Sequence, residues 1–389
     1  MEARKTPFLP IEIIESIVLC LPLQERFCVS VHLRLLSIRD KCIPLLEYAS
    51  MDCASRKGQV NLLTWWKNSS LKCKWSSLSM DWASQNGHVN VLEWWKDSGL
   101  KGLWTSLSMD LASMEGHVEV LEWWKNSGLE CKWKRDAMNF ASEKGHVDVL
   151  QWWKDSGLEC KWRSDLLDWL SALGQVDVLE WWKNCGLKCK WSSSSMDLAS
   201  KNGQICVLQW WKSSSLKSKW SQDAMNWASK EGHVDILQWW KNSSLKCKWS
   251  SAAMDFASAN GRVEVLEWWK NSGLQCKWSC FAMDWSSGRG HVEVLEWWKN
   301  SGLQCKWSEN AMDYASKEGH VDILEWWKDS GLECKYQDAM DYATKEGHVD
   351  ILQWWKDSGL ECKWTFFSIH WSASKKHAHV LEWWKSSGL

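Results

Sequence analysis

The sequence predicts an all-α solenoid of about twelve stacked helix-turn-helix repeats, and three observations predict it. The pair Trp-Trp occurs twelve times, from Trp65/Trp66 to Trp383/Trp384. The pairs recur every 29 residues as far as Trp326, then once after 28, at Trp354, and once more after 29. Each pair sits in the frame Gly-His-Val-x-Val-Leu-Glu-Trp-Trp-Lys-x-Ser-Gly-Leu, almost unbroken at Gly87–Leu100, Gly116–Leu129, Gly145–Leu158 and Gly319–Leu332. A fixed period of about 20–50 residues marks a stack in which each unit buries its apolar face only on its neighbours.

The second half of each unit reads directly as a helix. In Val89–Lys96 the apolar residues Val91, Leu92, Trp94 and Trp95 share one stripe, with Glu93 and Lys96 off it. Ser98-Gly99 ends it, because glycine accepts the left-handed C′ conformation. Serine replaces that glycine at Ser70, Ser215 and Ser244. The first half is short and rich in small residues, as in Ala137-Met138-Asn139-Phe140-Ala141-Ser142-Glu143-Lys144-Gly145. Asp136, Asp223 or Asn310 stands just before it, where a side-chain oxygen is expected to cap free amides. Small Ala141 and Ser142 allow close approach of another helix. Gly145 stops the helix and His146 opens the next.

This unit resembles a shortened ankyrin repeat. Asp136–His146 occupies the frame of the ankyrin first helix and its Gly-His turn, although the Thr-Pro-Leu-His start is absent. Trp152-Trp153 stands in the place of the ankyrin Leu-Leu pair, and Gly157-Leu158 in that of the terminal Gly-Ala. The usual period is about 33. The shortfall lies in the inter-repeat loop, so the projecting β-hairpin of that family is expected to be trimmed to a bare turn. The resemblance runs from residue 48 to 389.

All four prolines, Pro7, Pro10, Pro22 and Pro44, precede the repeats. That shift in composition places a boundary after residue 47, giving residues 1–47 and 48–389. Ile13, Ile14, Ile17, Val18 and Leu21 form an apolar helical stripe that Pro22 breaks, and a second apolar helix follows. The stretch 8–36 resembles an F-box through Leu9, Pro10, Glu12, Ile13, Ile17, Leu21, Val29, Ser30 and Arg34. The gap from Leu21 to Val29 is shorter than in that family, and its closing tryptophan is missing. The resemblance implies docking to a Skp-family adaptor through Leu9, Pro10, Ile13, Ile17, Leu21 and Val29. The other reading of these helices is a plain cap on the first repeat.

Composition excludes several classes. Lysine and arginine total 47 against 48 acidic residues, a net charge of −1, which argues against a nucleic-acid tract. The apolar run Ile11–Leu23 is too short and too acidic to span a membrane, and no small-residue cleavage site follows it. The 16 cysteines contain no Cys-x-x-Cys, and successive repeats stand too far apart for disulfides. Free thiols suit a reducing compartment, the cytoplasm or also the nucleus. The histidine column, His88, His117, His146, His233, His291, His320 and His348, is spaced by a helix diameter. It cannot share an ion, so a bond fixing the inter-helix turn is the expectation and no metal or cofactor is expected. No nucleophile–base pair recurs, so no enzymatic activity is expected.

The 39 tryptophans fall in three places: the pair, the loop Cys-Lys-Trp, and the first helix at Trp82, Trp169, Trp227, Trp285 and Trp371. Both members of the pair are expected in the core. The loop rings leave open a receptor for carbohydrate or methyl-lysine. Variation between repeats gathers in the two residues before the first helix and in the pair before glycine, such as Gln85/Asn86, Met114/Glu115 and Gly288/Arg289. In ankyrin-like stacks these positions line the concave side. Arg135, Asp136, Asp165, Gln222, Asp223, Glu309, Asn310, Phe366 and Phe367 are therefore the expected target-binding residues. The chain reads as a monomeric protein-binding adaptor, with a ligase-linked and a ligase-free version both open.

Overall fold

The computed structural model describes residues 51–68, 74–366, 368 and 378–389. The F-box-like stretch, with Leu9, Pro10, Ile13, Ile17, Leu21 and Val29, lies outside the described residues, as does Phe367. Among the described residues there are 23 α-helices and no strand.

Two compact units divide the chain, residues 1–164 with 180–187, and residues 165–179 with 188–389. In the first unit the helices are α1 (Met51–Arg56), α2 (Val60–Asn68), α3 (Leu78–Gln85), α4 (Val89–Asp97), α5 (Leu107–Met114), α6 (Val118–Asn126), α7 (Asp136–Lys144) and α8 (Val147–Asp155). The second unit starts with α9 (Leu166–Leu173), and the division falls within α10 (Val176–Asn184). It continues through α11 (Ser194–Lys201), α12 (Ile205–Ser213), α13 (Asp223–Glu231), α14 (Val234–Asn242), α15 (Ala252–Ala259) and α16 (Val263–Asn271). Then come α17 (Phe281–Gly288), α18 (Val292–Asn300), α19 (Asn310–Glu318), α20 (Val321–Asp329), α21 (Ala339–Glu346), α22 (Val349–Asp357) and α23 (Ala378–Ser387). Within each unit the odd-numbered first helices pack closely on the first helices of adjoining repeats, whereas second helices meet one another sparingly.

The chemistry of the turn explains each hairpin. Gly145 takes φ 85°, and the His146 amide donates to the Ala141 carbonyl at 2.9 Å, a Schellman closure of α7. Ser215 and Ser244 take φ 64° and 63° after second helices, so the left-handed stop is kept there without glycine.

The core repeats with the sequence. Val149, Leu150 and Trp153 of α8 are fully buried, with Met138 and Ala141 of α7. The Trp153 indole N–H donates to Ser113 Oγ at 2.9 Å, and Ser113 Oγ donates in turn to the Met109 carbonyl at 2.8 Å. The same bond reaches 40 residues back from Trp124 to Ser84 in the first unit, and from Trp240 to Ser200 in the second. From Trp355 it reaches 39 back, to Ser316, absorbing the lost loop residue at the shortened interval. Burying an indole leaves one N–H to satisfy, and the serine of the previous repeat supplies the acceptor.

The first tryptophan of the pair departs from the expectation in most repeats, although Trp210 and Trp383 are buried. Trp152 is half-buried, standing edge-on to Trp153 with centroids 5.2 Å apart. Its N–H donates to Glu122 Oε2 at 2.7 Å, which holds the Glu122 carboxyl below its ordinary range. Neighbours in sequence point about 100° apart around a helix, so the two rings of a pair face different surroundings. The loop ring Trp133 packs on Trp153 at 5.7 Å, gives its N–H to the Glu159 carbonyl at 3.0 Å, and lies under the Lys161 ammonium.

Candidate binding surface

Each first helix shows solvent one narrow strip. On α7 the residues Ala137, Met138, Asn139, Ala141 and Ser142 are buried, while Asp136, Phe140, Glu143 and Lys144 reach the surface. These four lie at helical spacing, so the variable positions of this helix share one face.

The expected target-binding residues sit at the start of that strip. Arg135, Asp165, Gln222 and Glu309 are exposed just before their helices, and Asp136, Asp223 and Asn310 are half-buried at the first turn. Phe366 is 79% exposed. Apart from the neighbours Arg135/Asp136, Gln222/Asp223 and Glu309/Asn310 they stand in separate repeats, and Gln222 and Asp223 line one shallow hollow together.

Helix capping also differs from the expectation. Asp136 and Asp223 are themselves helical, and the residues before them make no side-chain cap bond. The side chain that serves the helix start comes from the preceding repeat, a carboxylate in most repeats and an amide at Asn139 and Asn226. Asp197 Oδ1 accepts the Ser221 amide at 2.9 Å, and Oδ2 accepts the Ser221 hydroxyl at 2.8 Å. Ser221 Oγ then accepts the Asp223 amide at 3.0 Å. Burial pushes these carboxyls up, as at Asp197, Asp255 and Asp284. Asp110 and Asp313 rise to about 6, again chiefly through burial. In both, Lys134 or Gln337 stands where serine is usual, so the inter-repeat loop gives backbone N–H donors without that hydroxyl.

The histidines do not fix their own turn. His88 Nε2 and His146 Nε2 each lie 3.1 Å from a carbonyl of the preceding repeat, Arg56 and Met114. Their rings lie over the preceding turn glycine, where a Cβ on Gly116 would stand 2.9 Å from His146. Cys131 is half-buried with Sγ 3.5 Å from the Trp124 carbonyl, and burial pushes its thiol up. Among the described residues no three His, Cys, Asp or Glu side chains gather as a metal site, and no helix is long and apolar enough to cross a membrane.

A further hollow interrupts the strip in the second unit. A cleft of about 520 Å³ opens between α15, α17 and α19, walled by Phe256, Trp285 and Tyr314. The sequence singles out Trp285 and the pair Gly288/Arg289, but not Phe256, Tyr314 or the cleft. The available signal was the variety of this ring column, since Leu111, Phe140, Leu198, Phe256 and Tyr314 occupy one position while the preceding Met and the following Ala recur.

Residues 109–152 and 312–354 match the family profile of ankyrin repeats present in many copies. A search of curated proteins found no match. Among solved structures the chain is similar to the pentatricopeptide repeat protein PPR10 in complex with an 18-nt psaJ RNA element, at 12% identity and a TM-score of 0.36. A cysteine-to-serine variant of that protein with the same RNA gives the same values. The match covers 95% of this chain and 63% of PPR10, so the chain spans less than two thirds of that protein's length. The two matched stretches, together with the repeated helical frame described above, support an ankyrin-like repeat protein. That class of helical array serves as a scaffold for protein interaction.

Proposed function

We propose that this chain is the substrate-recognition subunit of a cullin-RING ubiquitin ligase. Its repeats hold a protein target on the first-helix strip, and its N-terminal segment docks a Skp-family adaptor. The observation that supports target binding is the contrast inside each first helix, as in α7: Met138 and Ala141 recur and are buried, while Phe140 and Glu143, half-exposed, and Lys144, exposed, vary. A rigid frame presenting varied side chains loses little entropy on binding. The docking arm, residues 1–47 before a repeat region 48–389, rests on Leu9, Pro10, Ile13, Ile17, Leu21 and Val29 and their likeness to an F-box. The protein works as a monomer in the cytoplasm or nucleus and transfers no group itself.

Purified full-length protein should bind a purified Skp-family adaptor with Kd at or below about 10 µM. Leu9→Asp combined with Pro10→Ala should abolish that binding and leave the helical circular dichroism unchanged, because the repeats are stabilised by neighbour contacts. Absence of binding by the wild type, or full binding by the double variant, would sink the ligase link and leave a scaffold whose N-terminal helices only cap the first repeat.

A further inference from the structure

The cleft on α15, α17 and α19 is a built feature. The helix column that carries Lys230 in one repeat and Lys317 three repeats later carries Ala259 and Gly288 between them. Those two missing side chains make the hollow. Gly288 also lets α17 and α19 approach, since a Cβ there would stand 2.8 Å from Tyr314 Cβ. Its volume of about 520 Å³ falls within the usual range for a pocket that holds a small group, about 300–1,000 Å³.

Walls and rim differ in character. Phe256 and Trp285 are nearly parallel, 12° apart with centroids at 6.0 Å, and Phe281, 44% exposed, lies flat on Trp285 at 4.6 Å. Around this apolar wall stand Lys230, Arg289 and Lys317. Lys317 pairs with Glu318 at 2.7 Å and Lys230 lies 4.0 Å from Glu231, so Arg289, which donates to neutral acceptors, is the main cation offered. Arg289 is held in place, its Nη1 donating to the Ala259 carbonyl at 2.8 Å and to Asn260 Oδ1 at 3.1 Å. A guanidinium fixed in advance loses little freedom when it meets an anion.

We infer that this cleft binds an acidic peptide segment of the protein target, seating one aromatic side chain against Phe256 and Trp285 with carboxylates on the Lys230–Arg289–Lys317 rim. The inference rests on the reading above that the first-helix strip holds the target, and it names the chemistry recognised there. A nucleic-acid strand fits less well. Stacking on the rings would suit a base, but a phosphate backbone needs a continuous basic track. Along this strip Glu231, Glu318 and Glu346 follow the lysines one residue later and break such a track.

The probe is a fluorescein-labelled peptide with one phenylalanine flanked by two glutamates on each side, titrated into full-length protein by anisotropy. Its affinity should fall at least about tenfold when the phenylalanine is replaced by serine, or the glutamates by lysines. Ala259→Lys places in the hollow the side chain that Lys230 and Lys317 already carry in the same column, so the helix should tolerate it. That variant and Arg289→Glu should each weaken binding by about tenfold or more, with urea midpoints unchanged. Weak binding that ignores both variants, or no saturation at about 1 mM peptide, overturns the proposal. A ten-nucleotide oligouridylate that binds more tightly and is lost in both variants overturns it in favour of nucleic acid. Skp-family binding is measured on the same variants and should be unaffected, so failure here is separable from failure of the adaptor reading.

Discussion

Two ring ladders run through this protein on the same spacing, and they do opposite things. The second tryptophan of each pair is buried, and Trp153, 0% exposed, is tied to a serine of the preceding repeat. The ring of the first helix, Phe140 or Trp285, is half-exposed and changes identity from repeat to repeat. Equal size and equal period therefore do not imply equal duty. The interior ladder is a frame, held constant because a neighbour on each side must fit it. The surface ladder faces no neighbour that demands one shape, so it is free to carry recognition. The cleft at Phe256, Trp285 and Tyr314 is where that freedom produced a site.

The largest expected effect breaks the frame. Trp153→Ala removes a fully buried indole and leaves Ser113 without its donor. It should cost about 3–5 kcal/mol in the surrounding repeats, read from urea unfolding. Phe140→Ala, on the half-exposed ladder, should cost about 1 kcal/mol, the lost transfer of a partly covered ring. Equal losses would erase the distinction between the ladders.

Much of this was legible in the sequence, and the exceptions share a cause. The helical halves, the glycine stops and the trimmed loops follow from period and residue type, because those signals are local. The partners of Asp110, His146 and Trp153 were not legible, because they lie 24, 32 and 40 residues away. Asp136 looked like a cap for its own helix, while the carboxylate at work sits one repeat earlier. Trp152 looked like core, because a pair reads as one apolar feature until the helix turns its members apart. The cleft was hidden because it consists of what Ala259 and Gly288 lack.

A smaller effect sharpens the picture of the frame. Asp110 has a folded pKa of about 6, above its ordinary 3.8. A raised carboxyl contributes stability that is greatest below pH 3.8 and is lost as pH rises through about 6. Lys134→Ser restores the hydroxyl that Ser221 gives Asp197. The exposed ammonium lost in the exchange is screened by solvent. The variant should gain about 1 kcal/mol at pH 7 and less at pH 4, in urea midpoints taken at both. An equal gain at both pH values would show that the Asp110 carboxyl is not the group responsible.

The division of labour itself is tested by measuring stability and affinity for the acidic phenylalanine peptide on two variants side by side, Trp153→Ala and Arg289→Glu. The account predicts a crossed result. Trp153→Ala loses about 3–5 kcal/mol of stability yet binds the peptide within about twofold of wild type where it is folded. Arg289→Glu keeps its urea midpoint and loses binding about tenfold. Stability and affinity moving together in both variants would contradict it, because frame and recognition surface would then be one and the same.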